Sequence, residues 1–193
     1  MRADAARNRA RILEVASQVF REQGYDASLD LVAKRAGVGA GTLYRHFPDR
    51  ESLVNALMER WAARIHDVAV ETVAAAGSPR EVLLRWLTEY VGLITLHKGG
   101  AAKLTWALDH PDCPTYPKAV GLRAASELVL ASLAARDALR PTADATQLCR
   151  LVGGVAAVAD QSDLDPTAVR AMLEVIADGV LRPAAEALAA LRP

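Results

Sequence analysis

Aromatic residues make up only 5% of this 193-residue chain. It also has almost no runs in which β-branched residues alternate with polar ones between turn dipeptides. A sheet is built from such runs, so their scarcity excludes most β architectures. Cysteine is scarce too. Cys113 and Cys149 cannot make a disulfide framework or a four-cysteine zinc site. No apolar stretch reaches the roughly 20 residues that span a bilayer; Leu151 to Ala159 is too short. Met1 to Arg11 is charged and lacks the apolar segment of a secretory leader. A cytoplasmic protein with no membrane partner is the expectation. An excess of charge is also missing: Lys+Arg and Asp+Glu both total 23. A neutral total neither supports nor excludes nucleic-acid binding, because what counts is where the bases sit.

What the chain has is alanine, leucine and helical periodicity, with 52% hydrophobic residues. That is enough for one sizeable core or two small ones. The first helix is expected from about Arg7 to Gln23, with Ile12, Leu13, Ala16, Val19 and Phe20 as its buried stripe and Gly24 as a left-handed cap. Ser28 can cap a second helix that turns Leu31, Val32 and Ala36 inward. Gly37 closes it, and a short third helix covers about Ala40 to His46. Pro48 stops that helix, and Asp49 caps a long fourth one that ends near Gly77. Ser78-Pro79 restarts the chain into a fifth helix reaching about His97. A short sixth helix spans about Ala101 to Asp109, followed by a proline-rich loop to Pro117. Further helices are expected over about Lys118–Leu139 and Ala143–Ala159, then from Asp165-Pro166 to about Leu181, with a short tenth at the end.

The predicted fold is therefore all-α: an N-terminal three-helix helix-turn-helix domain over 1–48 and a helical regulatory and dimerisation domain over 49–193. Residues 1–60 carry ten bases against eight acids, a net +2, and the remainder carries −2. The cluster Arg7, Arg9 and Arg11 precedes the first apolar stripe and is either a DNA contact or a solvated face.

A helix-turn-helix needs small residues where its helices cross, and Ala33, Ala36 and Gly37 supply them. Leu43 and Phe47 lie four apart and pack inward. Ser28, Arg45, His46 and Arg50 are placed to bond phosphates. Arg45 could instead read guanine with its two-pronged donor geometry, and His46 could simply favour the helix dipole. Ala40, Gly41 and Thr42 open the third helix, where backbone can approach base edges. Tyr44 is either a DNA contact or core.

The run Ala36-Gly-Val-Gly-Ala-Gly-Thr-Leu-Tyr-Arg-His-Phe47, with Gly24-Tyr25 upstream and Arg50-Glu-Ser-Leu53 downstream, resembles the TetR/AcrR family of bacterial regulators over about residues 7–55. The resemblance implies a homodimer on a pseudo-palindromic double-stranded DNA operator, with a small-molecule effector bound by the C-terminal domain. Gly39 stands where the family usually has serine or threonine, so the capping hydroxyl is missing. Arg50 replaces the family's usual lysine. Leu148 to Val158 resembles the SbtR-like subset of these regulators.

In the C-terminal domain, Trp86 and Tyr90 share one face of the fifth helix. Together with Trp106, Arg123 and Cys149 they are candidates to line an apolar effector pocket. The alternatives are ordinary core for the aromatics and an ion pair with Glu127 for Arg123. Gly153, Gly154, Ala156 and Ala157 permit close helix approach. Val169, Met172, Leu173, Ile176 and Val180 form an apolar stripe that could serve a four-helix dimer interface or pack within the chain. No cofactor or metal is called for. A redox or metal sensor using His97, His110 and Cys113 is the competing reading, although their spacing fits no standard zinc pattern. An enzyme using Asp109, His110 and Cys113 is a more distant one, since no base–nucleophile pair supports it. The leading expectation is a ligand-responsive transcriptional repressor.

Overall fold

A computed structural model describes residues 2–23, 26–95 and 99–183. The expected Gly24 cap, Tyr25, His97 and the short tenth helix lie outside the described residues. Those residues form nine α-helices: α1 (Arg2–Gln23), α2 (Leu29–Arg35), α3 (Ala40–His46), α4 (Arg50–Ala74), α5 (Pro79–Ile94), α6 (Gly100–Ala107), α7 (Tyr116–Ala134), α8 (Ala145–Ser162) and α9 (Pro166–Val180). Among the described residues the only extended pairing outside them is an isolated antiparallel bridge between Leu139 and Leu181.

The helix boundaries follow local chemistry. Asp49 caps α4: its carboxylate accepts the Ser52 N–H at 2.7 Å, and the Ser52 hydroxyl donates back to the Asp49 carbonyl at 2.8 Å. Ser78 and Glu81 form a full capping box on α5. Asp165 caps α9 by accepting from Thr167 and Ala168 ahead of Pro166. Hydrogen bonds from Ser78 hold the Glu81 carboxyl below its ordinary pKa, and those from Ala168 and Thr167 do the same for Asp165. Several boundaries differ from expectation: α1 begins at Arg2 rather than about Arg7, and α7 begins at Tyr116, inside the expected loop. Helix α7 stops at Ala134 rather than Leu139, because the chain turns through Asp137 at φ +50°. Helix α8 runs on to Ser162, where Asp163 at φ +47° ends it.

The chain divides into two compact units, Met1–Trp61 and Ala62–Pro193. The division falls inside α4, beyond the 48/49 boundary at which that helix begins. The reason is packing: Leu53 and Ala56, from the first turns of α4, are buried in the core of the first unit. The rest of that core is Ile12, Leu13, Ala16, Val19 and Phe20 from α1, Ala27, Leu29, Val32, Ala33 and Ala36 in and around α2, and Leu43 and Phe47 around α3.

In the second unit, Trp86, Leu83 and Leu87 of α5, Leu122 and Leu133 of α7, Val152 of α8 and Leu173 of α9 are fully buried or nearly so. Helix α6 lies on α8 at Gly153, where an added Cβ would sit 1.9 Å from Thr105 Oγ1. Only glycine permits that approach. After Val180 the chain leaves its helix ahead of Pro183. Arg182 then ties it to the α7–α8 connection, bonding the Leu139 carbonyl at 2.8 Å and Asp137 at 3.0 Å.

Candidate functional site

The turn between α2 and α3 has the hydrogen bonds of a Schellman motif. The Gly37 N–H reaches the Lys34 carbonyl and the Val38 N–H reaches the Ala33 carbonyl. Gly37 sits at φ +64°, which only glycine adopts without strain. Arg11 donates to the Gly37 carbonyl at 3.3 Å and braces the same turn from α1. Val38 packs against the core, and Gly39 then caps α3 through its backbone alone.

Leu43 and Phe47 are buried, so one face of α3 is anchored. The opposite face is open. Ala40, Gly41 and Arg45 are exposed, Thr42 is half-buried, and Tyr44 is 44% exposed. Tyr44 thus belongs to the outward face and not to the core. Arg45 Nη2 donates to Thr42 Oγ1 at 3.0 Å, one turn back on the same face. His46 is half-buried with its ring tilted 6.4 Å from that of Phe47. Ser28 is exposed, and its hydroxyl accepts the Asp30 N–H at 3.2 Å.

Arg7, Arg9 and Arg50 have structural partners. Arg50 is half-buried, donates to the Ala27 carbonyl at 2.9 Å and lies 5.9 Å from the Phe20 ring centroid. It clamps the start of α4 to the segment before α2. Arg9 lies 5.3 Å from the Phe47 ring centroid, and Arg7 pairs with Asp4. A face with exposed small residues, a hydroxyl and a guanidinium beside it can meet both base edges and phosphates.

In the second unit, three of the five residues expected to hold an effector come together in buried surroundings. Trp86 Nε1 donates to Ser126 Oγ at 3.2 Å, and Ser126 Oγ lies 3.6 Å from Cys149 Sγ. Tyr90 packs edge-on against Trp86 at 5.8 Å, and its hydroxyl lies beside the Cys149 thiol. Burial raises the pKa of both groups, Tyr90 well above its ordinary value. Arg123 pairs with Glu127 at 3.6 Å. Trp106 does not join them. It is 55% exposed and stacks on His110 at 3.6 Å.

A cleft of ≈ 680 Å³ lies elsewhere, and none of those five residues lines it. Its walls are the Thr88–Thr95 face of α5, the end of α8 at Ala159, Asp160 and Asp163, and the start of α9 from Pro166 to Leu173. Sequence reasoning missed it. Its one local signal is Leu164-Asp-Pro166, the turn that brings α9 back beside α8.

The residues of the competing readings have local partners. Asp109 pairs with Arg150 at 2.6 Å, His110 Nδ1 lies 2.7 Å from the Trp106 carbonyl, and Cys113 Sγ lies 3.3 Å from Thr115 Oγ1. Among the described residues no three His, Cys, Asp or Glu side chains are grouped to hold a metal ion. None of their helices is long and apolar enough to cross a membrane.

The outer faces of α8 and α9 differ from expectation. Leu173 and Ile176 of the expected interface stripe are buried within the chain, and Gly153 is covered by Thr105 of α6. The outward positions are held instead by Leu151 (52% exposed), Gly154 and Val158 (45%) on α8 and by Val175 (73%) on α9.

A glycine-turned helix pair with an anchored third helix and an open polar face defines a helix-turn-helix DNA-binding transcription regulator. The comparisons agree. Residues 12–57 match the model of the bacterial regulatory proteins of the tetR family. Over 61 residues the chain is 46% identical to an HTH-type transcriptional regulator of Staphylococcus aureus strain USA300, a match covering 31% of this chain and 33% of the relative's own length. Over nearly the whole chain it is similar to two solved structures. One is a TetR transcriptional regulator from Streptomyces coelicolor (31% identity, TM-score 0.66, 91% of this chain and 99% of that one). The other is a TetR transcription regulatory protein from Mycobacterium vanbaalenii (33% identity, TM-score 0.64, 94% and 99%). The chain belongs to the TetR family.

Proposed function

We propose that this regulator is a repressor that binds a pseudo-palindromic operator as a homodimer and is released by a small-molecule effector held in its C-terminal unit. The observation that carries the DNA half is the open face of α3. Ala40, Gly41, Thr42, Tyr44 and Arg45 are presented outward while Leu43 and Phe47 hold the helix from behind. Ala40 to Thr42 approach base edges, Tyr44 and Arg45 flank them, and Ser28 and His46 bond phosphate. Arg50 combines a phosphate contact with its clamp on Ala27. The dimer is supported by the apolar residues Leu151, Val158 and Val175 on the outer faces of α8 and α9. Two recognition helices about 34–36 Å apart would meet successive major grooves.

The effector site is the cleft among α5, α8 and α9, with the buried Trp86–Tyr90–Cys149 cluster as the packed layer that shapes this unit. An effector that prefers one spacing of the two recognition helices shifts operator affinity by its differential affinity for the two states. Helix α4 runs without interruption from the first unit into the second and is the covalent route for that shift.

Selection of bound duplexes from a random pool tests the reading. The expected result is an inverted repeat, with affinity falling steeply as salt rises. No enrichment, or binding indifferent to salt, would overturn it. Sedimentation at micromolar concentration should show a dimer that Val175→Arg with Leu151→Glu disrupts.

A further inference from the structure

The cleft has walls of definite chemistry. Val91, Leu164, Val169 and Leu173 make it mostly apolar, and three charged residues also line it: Asp160, Asp163 and Arg170. These charges do not balance. Arg170 is committed to Glu174, its neighbour one turn on, at 3.2 Å. Neither carboxylate has an ion pair among the described residues. Asp163 closes α8 in the left-handed conformation and is exposed. Asp160 is half-buried, and its Oδ2 accepts the backbone N–H of Gly99 at 2.5 Å. An anionic ligand would meet two unneutralised carboxylates there, and a neutral one would leave them without a counter-charge. A cation carried on an apolar body satisfies both the walls and the acids.

Asp160 has a second role. Gly99 is the residue that caps α6, at φ +73°, with Gly100 following as the first residue of that helix. Asp160, which lines the cleft, therefore also holds the N-terminus of α6 through its carboxylate. A ligand ammonium bound to Asp160 draws on the same carboxylate charge that the Gly99 N–H uses, and so weakens that bond. Two consecutive glycines leave the backbone free to change course at that point.

We propose that the cleft binds an apolar small molecule bearing a protonated amine, that Asp160 and Asp163 hold the ammonium, and that occupancy loosens the Asp160–Gly99 bond and with it the first turn of α6. The proposal rests on the effector reading above and names the chemical class of that effector.

The test uses the full chain and three probes of one shape: 4-phenylbutylamine, 4-phenylbutanol and 4-phenylbutyrate. Calorimetric titration should show the amine binding about tenfold or more tighter than the alcohol, as a charge-assisted hydrogen bond implies, with the acid weakest. Asp160→Asn keeps an oxygen to accept from Gly99 and removes only the charge. It should weaken the amine about tenfold and leave the alcohol unchanged. Asp163→Asn should act in the same direction and less strongly. Equal affinity for the three probes, no binding of any, or an unaltered amine affinity in Asp160→Asn would overturn the site.

Hydrogen exchange at the amides of α6's first turn reads the second half. Faster exchange with bound amine supports the release of Gly99, and unchanged exchange overturns it. Operator binding is measured separately. Charge-dependent amine binding with unmoved DNA affinity would leave the site standing and remove the effector reading. Loss of amine binding with intact DNA recognition would do the reverse.

Discussion

The two units of this chain are helical to similar degrees but are specified differently. In the first, most structural decisions are made within a few residues. Gly37 turns the chain, Asp49 and Ser52 start α4, and Leu43 and Phe47 fix which face of α3 is hidden. In the second, the decisive contacts join residues far apart in sequence. Gly153 admits Thr105, Trp86 finds Ser126, Asp160 finds Gly99, and Arg182 returns to Asp137 and Leu139. A DNA-reading surface can be built from one short helix with a fixed back. A cleft needs three helices to arrive in register.

The largest expected effects come from each unit's tightest contact. Phe47 is buried, holds the end of α3 and lies under the Arg9 guanidinium. Phe47→Ala should cost about 3–5 kcal/mol of stability, read by denaturant unfolding, and abolish operator binding. In the second unit, Gly153→Ala drives a methyl into Thr105 and should cost about 1–3 kcal/mol despite alanine's better helix propensity. The double variant Gly153→Ala with Thr105→Ala should recover part of that loss, because the two sites share one contact. Gly41 in α3 sharpens the contrast, since nothing lies within 4 Å of an added Cβ there. Gly41→Ala should stabilise the chain by up to about 1 kcal/mol while weakening operator binding, because the new methyl faces the groove. If Gly41→Ala left DNA affinity untouched, the start of α3 would not approach the bases.

A smaller effect separates charge from clamp. Arg50 holds the Ala27 carbonyl and lies over Phe20. Arg50→Met keeps the apolar stem and removes the donor, so it should cost about 1–2 kcal/mol. Operator affinity should fall further than that stability loss explains, with a shallower salt dependence. An unchanged salt slope would make Arg50 a structural clamp only.

What the sequence revealed follows the same division. The helix-turn-helix was legible because its signals are local: a glycine requiring positive φ, caps, and apolar residues at helical spacing. Even there, the Arg50–Ala27 and Arg11–Gly37 bonds could not be read, since both link residues more than 20 apart in sequence. The helices of the second unit were legible from Ser78-Pro79 and Asp165-Pro166, but their faces were not. The stripe Leu173–Ile176 reads equally well as core or interface by periodicity, and packing against α5 and α8 turned it inward. Trp106 reads from sequence as either a pocket residue or ordinary core, yet α6 presents it to solvent stacked on His110. Trp86 and Tyr90 do share a face, as their spacing of four requires, but that face is filled by Ser126 and Cys149. The cleft was hard to read because its α5 wall comes from a stretch of chain far from α8 and α9, and only the turn at Leu164-Asp-Pro166 between those two is local.

The smallest expected effect falls at the N-cap of α3, the helix proposed to read DNA, where glycine stands in place of the usual serine or threonine. Gly39 is the N-cap of α3 at φ −67° and ψ 149°, values any residue adopts, and a Cβ there would meet nothing within 4 Å. No backbone strain or steric contact requires glycine. The cap now consists of the Gly39 carbonyl alone, accepting from Thr42 and Leu43 at 2.9 and 3.1 Å. Gly39→Ser would add a hydroxyl able to accept an N–H of the first turn, and the serine also loses less backbone entropy on folding than glycine. The gain should be a few tenths of a kcal/mol, seen as a small rise in the denaturation midpoint. The same hydroxyl lies beside the face proposed to meet phosphate, so operator affinity should hold or improve. A marked loss of affinity would mean that DNA backbone passes where the new side chain stands. Glycine would then be kept for the approach of the operator and not for the turn.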